Sequence, residues 1–295
     1  MGVELDFTNL LELFFSVLRF AAPLILAAMA GLYSERSGVI QIALEGFMLF
    51  GAFVAAVAAN YFGNGALGLL SASMFGVLVG LFYGFLVIHL KADQIVAGTA
   101  VNMLAWGGIP VVCKSLYDVT SNTPSLEISE RLPHWVPIIL AVAVVIVTFV
   151  LIKKTPFGLW LTVAGEKPEA LKAVGISPTA VRWGAVMCAG AIAGLGGAVL
   201  SVCLSSSYTR NMTAGRGFMA LAALILGKWR PVQAFVACLL FGVCEVAQLK
   251  LQGMSLPYFG VVPVQLVQII PYVITLMILA GIVGESRAPA KLGTS

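Results

Sequence analysis

The sequence predicts an all-α, polytopic membrane protein, and three observations carry that prediction. Hydrophobic residues fill 60% of the 295 positions and charged residues only 10%, where a soluble domain carries about 25% charged residues. The stretches 46–90, 94–113, 132–152, 183–209 and 251–284 contain no Asp, Glu, Lys or Arg. A helix crosses a bilayer in about 20 apolar residues, so the first and last of these stretches exceed one crossing. The apolar runs are continuous rather than alternating, which fits helices and excludes a β-barrel.

The predicted spans, taken in order, are 9–33, 38–60, 65–90, 93–113, 135–152, 181–205, 214–228, 231–250 and 262–283, about eight or nine crossings in one transmembrane domain, 1–295. The first is kept as a span because Glu4, Asp6 and Glu12 precede any basic residue, unlike the positive start of a secretory signal. Arg19 falls inside it, and Glu35-Arg36 mark an interfacial turn before the second span, which contains Glu45. Residues 114–134 form the main loop on one side, read as a short helix or ordered turn. The sixth span holds GAIAGLGGAVLS (190–201), whose small residues at spacing four let helix backbones approach closely in lipid. The seventh is short enough to be broken or re-entrant. The eighth contains Glu245, and the brief polar tail after Gly284 reads as disordered.

Between the fifth and sixth spans lies the longest polar interruption, Lys153–Trp183. Pro168 suits a first helical position, Glu169 the first turn, Lys172 the last turn and Gly175 a C-terminal stop, so a short helix sits on this loop. Basic residues set the orientation. With the N-terminus outside, Arg36, Lys91, Lys153, Lys154, Lys167, Lys172, Arg182, Lys228, Arg230, Arg287 and Lys291 fall inside, against Lys114, Arg131, Arg210, Arg216 and Lys250 outside. The polar loop and the C-terminus are then cytoplasmic.

The chain also echoes itself. Glu45-Gly46-Phe47-Met48 and Arg216-Gly217-Phe218-Met219 stand 171 residues apart, and the same offset carries the first span onto the sixth and the fourth onto the ninth. Two four-span halves, about 9–113 and 181–283, separated by one extra span run in opposite directions, which is the inverted-repeat plan of many transporters. Candidate pathway residues on this reading are Gln41, Glu45, Phe47, Asn102, Arg216 and Phe218. Charges at membrane depth are costly and mark either a path, a proton relay or pairing within the bundle. A proton-coupled secondary transporter using Glu45 and Glu245 is the alternative function.

Enzyme chemistry finds no support. No GxxxxGK[ST], HExxH or GxSxG occurs. The five cysteines are scattered without a CxxC or Cys/His cluster, His89 and His134 stand alone, and no basic block points to nucleic acid. No catalytic residue, metal ligand or bound cofactor is assigned.

Four blocks, LYSERSGVIQIALEGFMLFGAF (32–53), KADQIVAGTAVNMLA (91–105), TPFGLWLTVAGEKPEALKAVGI (155–176) and GRGFMALAALILGKWRP (215–231), resemble those of the ABC-importer permeases of the branched-chain amino acid, ribose and simple-sugar type. Within that family the resemblance is to the nucleoside and riboflavin branch. It departs at Gln41, where asparagine is usual, and at Trp160, where arginine is usual. The resemblance implies a type II importer permease fold and a pore between two permease chains, in a homodimer or heterodimer. It also implies a binding lipoprotein or periplasmic protein delivering cargo, and separate cytoplasmic ATPase chains that hold ATP and Mg. Force would pass through the loop 153–180, by way of Glu166, Pro168, Glu169, Ala170, Leu171, Lys172, Val174 and Gly175.

Overall fold

The computed structural model describes residues 7–251, 255–256, 260–261, 269, 273 and 288–294. They form a helical bundle of α1 (Phe7–Arg36), α2 (Leu44–Phe62), α3 (Gly65–Gly84), α4 (Gln94–Tyr117), α5 (Val136–Lys154), α6 (Pro156–Glu166), α7 (Pro168–Ala173), α8 (Pro178–Ala198), α9 (Arg216–Leu226) and α10 (Pro231–Leu251). Short π-helical turns extend α3 through His89 and α8 through Leu204. Among the described residues the strands are a two-residue antiparallel pair, Ser255–Leu256 with Gly260–Val261. The predicted ninth span, 262–283, lies outside the described residues apart from positions 269 and 273.

Local chemistry sets the helix starts. Asn64, Asp93, Thr155 and Ser177 cap α3, α4, α6 and α8 by accepting from first-turn N–H groups. Pro156, Pro168 and Pro178 occupy first positions, where a missing N–H costs nothing. Among the described residues seven helices, including α8 with its π turn, are long and apolar enough to cross a membrane. α9 is not: its 11 residues rise only about 16 Å, half of a hydrocarbon layer about 30 Å thick.

The bundle is centred on a seam of small residues. On α3, Gly68, Ala72, Gly76, Gly80 and Gly84 recur at spacing four and lie along one face. Gly76 and Gly80 meet the α8 backbone at Gly190 and Val186, and Gly194 of α8 meets Ala72. A side chain at either helix would separate them, so the 190–201 run works as half of a two-helix interface. α10 packs against α1 in the same way, with Gly242 over Ala21.

Two of the described non-helical stretches bear on the site. Residues 37–43 run irregularly into α2, which begins at Leu44 rather than at the predicted 38. Residues 205–215 run irregularly into α9. The first is paid out in side-chain hydrogen bonds. The Tyr83 hydroxyl donates to the Ile40 carbonyl (2.6 Å), the Ile40 N–H donates to Gln94 Oε1 (2.8 Å), and Asn102 Nδ2 donates to the Ile42 carbonyl (3.0 Å). Buried backbone without such partners would not survive in hydrocarbon. The second stretch is zipped to the 118–134 loop, with the Thr123 N–H donating to the Tyr208 carbonyl (3.0 Å) and the Arg210 N–H to the Ser121 carbonyl (2.7 Å).

Glu35 stands at the end of α1, beside the expected turn, and is buried there, its carboxylate accepting from the Trp229 indole (2.6 Å) and the Gln41 N–H (3.5 Å). One expectation is corrected. The described tail, 288–294, is ordered: the Lys291 N–H donates to the Gly165 carbonyl (2.8 Å) and the Gly293 N–H to the Gly38 carbonyl (3.1 Å). A polar composition hid these backbone bonds, which need no particular side chains.

Candidate functional site

The site grows out of the two irregular stretches, because the helices that follow them start against each other. Glu45, in the first turn of α2, aims its carboxylate at the first turn of α9. Oε1 accepts from the Thr213 hydroxyl (2.5 Å) and the Gly215 N–H (2.8 Å), and Oε2 accepts from the Gly217 N–H (2.7 Å). These are the unpaired N–H groups and the positive end of α9, which together offset the cost of a buried anion. Gly217 permits the approach, since a Cβ there would lie 2.6 Å from the Glu45 Cα. The N-terminus of α2 is served in turn by Asn102, whose Oδ1 accepts from the Gly46 N–H (2.7 Å). Asn102 stands eight residues into α4, so the junction lies about 12 Å from that helix's first turn, well inside the bundle.

Arg216 is the reverse case, a cation at a helix N-terminus, where the dipole opposes it. Its guanidinium pairs with Glu245 of α10 at 2.5 Å and donates to the Met212 and Thr213 carbonyls (3.1 and 3.5 Å). Of the remaining candidates, Gln41 is buried and accepts from the Ser34 hydroxyl (3.1 Å), and Phe47 packs edge-on against Tyr83 with ring centroids 6.1 Å apart. Phe218 is 41% exposed. The structure therefore brings Glu45 to Asn102 through Gly46 and to the α9 start, but buries Gln41, Glu45, Phe47 and Asn102 away from any open surface. Thr213 was not singled out from the sequence; its position three residues before Arg216, at the end of an irregular stretch, was the available signal.

At the end of the bundle that holds Arg36 and the tail, α6 and α7 form a second candidate surface. α7 spans Pro168–Ala173 and closes at Gly175, where φ is +78° and the Ile176 N–H donates back to the Leu171 carbonyl (3.0 Å). Leu171 is buried against Tyr33, Leu161, Ala164 and Val181, which anchors the helix. Glu169, Ala170, Lys172, Val174 and Gly175 face outward, Pro168 is half-buried, and exposed Glu166 accepts from the Ala290 N–H (3.4 Å). Gly165 lies against the Arg36 and Gly38 backbone, so α6 is seated on the start of the irregular 37–43 stretch. Among the described residues no cluster of His, Cys, Asp or Glu could hold a metal ion.

The family model described as branched-chain amino acid transport system, permease component, matches residues 13–283. The chain belongs to this family. It is a multi-pass membrane protein and a transport component rather than an enzyme, and the family implies an ATPase and a substrate-binding protein as its partners. The guanosine ABC transporter permease protein NupQ of Bacillus subtilis is 36% identical over 301 residues, covering 94% of each chain. The nucleoside ABC transporter permease protein NupC of Lactococcus lactis is 32% identical over 306 residues, covering 95% of each. The glucose ABC transporter permease protein TsgB13 of Haloferax volcanii is 26% identical over 286 residues, covering 88% of this chain and 74% of that one. No solved structure matches the chain.

Proposed function

We propose that this chain is the membrane-spanning subunit of an ATP-driven importer of nucleosides. The observation that carries the reading is similarity to two nucleoside-type permeases at 36% and 32% identity over 94% and 95% of the chain; the putative glucose permease TsgC13 of Haloferax volcanii reaches 31%, over 80% of the chain. Riboflavin and simple sugars are the next cargoes. The chain works beside a second permease chain, identical or paralogous, with cargo brought by a binding lipoprotein or periplasmic protein and ATP and Mg held by the ATPase. The N-terminus faces outward and the C-terminus lies in the cytoplasm. The outward face of α7, with Glu166 and Gly175 at its borders, receives the ATPase.

Closure would then pass from α6 and Gly165 to the 37–43 stretch, and on to the Glu45 junction with α9. The repeat halves 9–113 and 181–283 are supported by the reciprocal packing of α3 on α8 and α10 on α1, and by irregular entries to both α2 and α9. A proton relay is disfavoured because Glu45 spends both carboxylate oxygens on three donors. The test is ATP-dependent uptake of radiolabelled guanosine by the complete transporter in proteoliposomes, with riboflavin and glucose as competitors. Uptake driven by a pH gradient without ATP would overturn the reading. Single cysteines at Glu169, Lys172 and Val174 should cross-link to the ATPase; failure at all three would remove α7 as its seat.

A further inference from the structure

The irregular 205–215 stretch does more than lead into α9. Tyr208 packs edge-on against Phe53 of α2, ring centroids 5.3 Å apart. Phe53 stands nine residues from the end of α2, so the stretch descends about 13 Å below that helix's end. Non-helical backbone at such depth is tolerated only inside protein or beside water. Here it borders a recess of about 300 Å³, lined by Trp106, Tyr208, Arg210 and Asn211, at the small end of the range for ligand pockets.

Three features make this recess chemically distinct from the apolar faces around it. Trp106 is 41% exposed yet lies 11 residues, about 16 Å, from the end of α4, too deep for an interfacial anchoring tryptophan. Arg210 and Asn211 are exposed beside it, and among the described residues no hydrogen bond or ion pair engages their side chains. A bare guanidinium is costly beside lipid and stable beside water. Pro110 offers no N–H to the Trp106 carbonyl one turn earlier, which leaves that acceptor without its usual donor. The backbone positions are held: the Tyr208 N–H donates to the Thr123 hydroxyl (3.0 Å), the Arg210 N–H to the Ser121 carbonyl (2.7 Å), and Asn211 sits at φ +58°.

We propose that this recess is a cargo subsite on the wall of the translocation path, taking a nucleoside with its base on the Trp106 indole and its polar groups on Arg210 and Asn211. A planar heteroaromatic ring with an uncharged, hydroxylated sugar matches this combination of one π face and several free donors. The inference rests on the nucleoside-importer reading and adds to it the residues that touch the cargo in the membrane.

The test is ATP-driven uptake of radiolabelled guanosine by the complete transporter in proteoliposomes, for wild type and for Trp106→Ala, Trp106→Phe and Arg210→Ala. ATPase rate and guanosine affinity of the binding protein are followed in parallel. Trp106→Ala should lower uptake about tenfold, and Trp106→Phe should restore most of it. Arg210→Ala should raise the half-saturating concentration of loaded binding protein. Should Trp106→Ala fail to assemble, Arg210→Ala and Trp106→Phe carry the test, because neither removes a contact that holds the fold. Wild-type guanosine uptake with every assembled variant equal to it would overturn the subsite while leaving the importer reading intact. A wild-type transporter that imports another cargo and no nucleoside would overturn both.

Discussion

The two helix starts that share Gly-Phe-Met use the pattern differently. At α2, Glu45 and Phe47 are buried: the carboxylate caps α9, and the ring packs on Tyr83. At α9, Arg216 is only partly covered and Phe218 is 41% exposed. The glycines and methionines behave alike. Gly46 and Gly217 both admit a close neighbour, Asn102 in one case and Glu45 in the other, and Met48 and Met219 share one core cluster. A repeated backbone plan thus carries one half committed to structure and one half left open, and the open half is where a path is to be sought. That also explains why Glu45 and Phe47, two candidates drawn from the echo, reach no open surface.

The comparison breaks most readily at the phenylalanines. Phe47→Ala should destabilise the detergent-solubilised permease by about 3–5 kcal/mol, since it empties a fully enclosed site. Thermal unfolding monitored by size-exclusion chromatography would show it, and a Phe47→Ala protein as stable as wild type would refute the asymmetry. Next in size is Glu45→Gln. The replacement keeps one acceptor but turns an amide N–H₂ toward one of the α9 donors, at a cost of about 2 kcal/mol. The same thermal assay reads it. Uptake that stays ATP-dependent in the folded remainder argues again that Glu45 is a cap and not a proton carrier.

Span positions were legible because charge-free length is a local property, and so was α7, whose Pro168 and Gly175 are positional signals. The start of α2 was not. Seen along the chain, residues 38–43 continue an apolar run; what unwinds them is the set Tyr83, Gln94 and Asn102, contributed by α3 and α4. The capping of α9 by Glu45 was hidden for the same reason, since it joins residues 170 positions apart. The GFM echo located both partners and said nothing of their contact. Small residues at 190–201 announced a close interface, and the matching register at 68–84 on α3 was equally visible but was not read. Trp106 had no signal at all beyond being an aromatic in an apolar run.

A smaller effect is expected at the open half. Arg216 and Glu245 are partly covered, so a double-mutant cycle of Arg216→Gln and Glu245→Gln should return a coupling of about 1 kcal/mol in thermal stability. A coupling near zero would mean that the pair is not formed in the membrane, and Arg216 would then be available to the path.

The smallest change in stability belongs to Phe218→Ala, and for that reason it is the most informative about function. An exposed side chain has little packing to lose, so stability should move by less than about 0.5 kcal/mol. Two surroundings are compatible with its exposure, lipid and an aqueous path, and they separate in transport. Facing lipid, the ring can be removed without consequence for uptake of guanosine. Facing the path, its loss alters the half-saturating concentration or the maximal rate while the ATPase stays assembled and active. The α9 entry is irregular backbone at membrane depth beside a partly covered arginine, and such a place is stable next to water rather than hydrocarbon. The expected outcome is therefore altered uptake at unchanged stability, the opposite of Phe47→Ala.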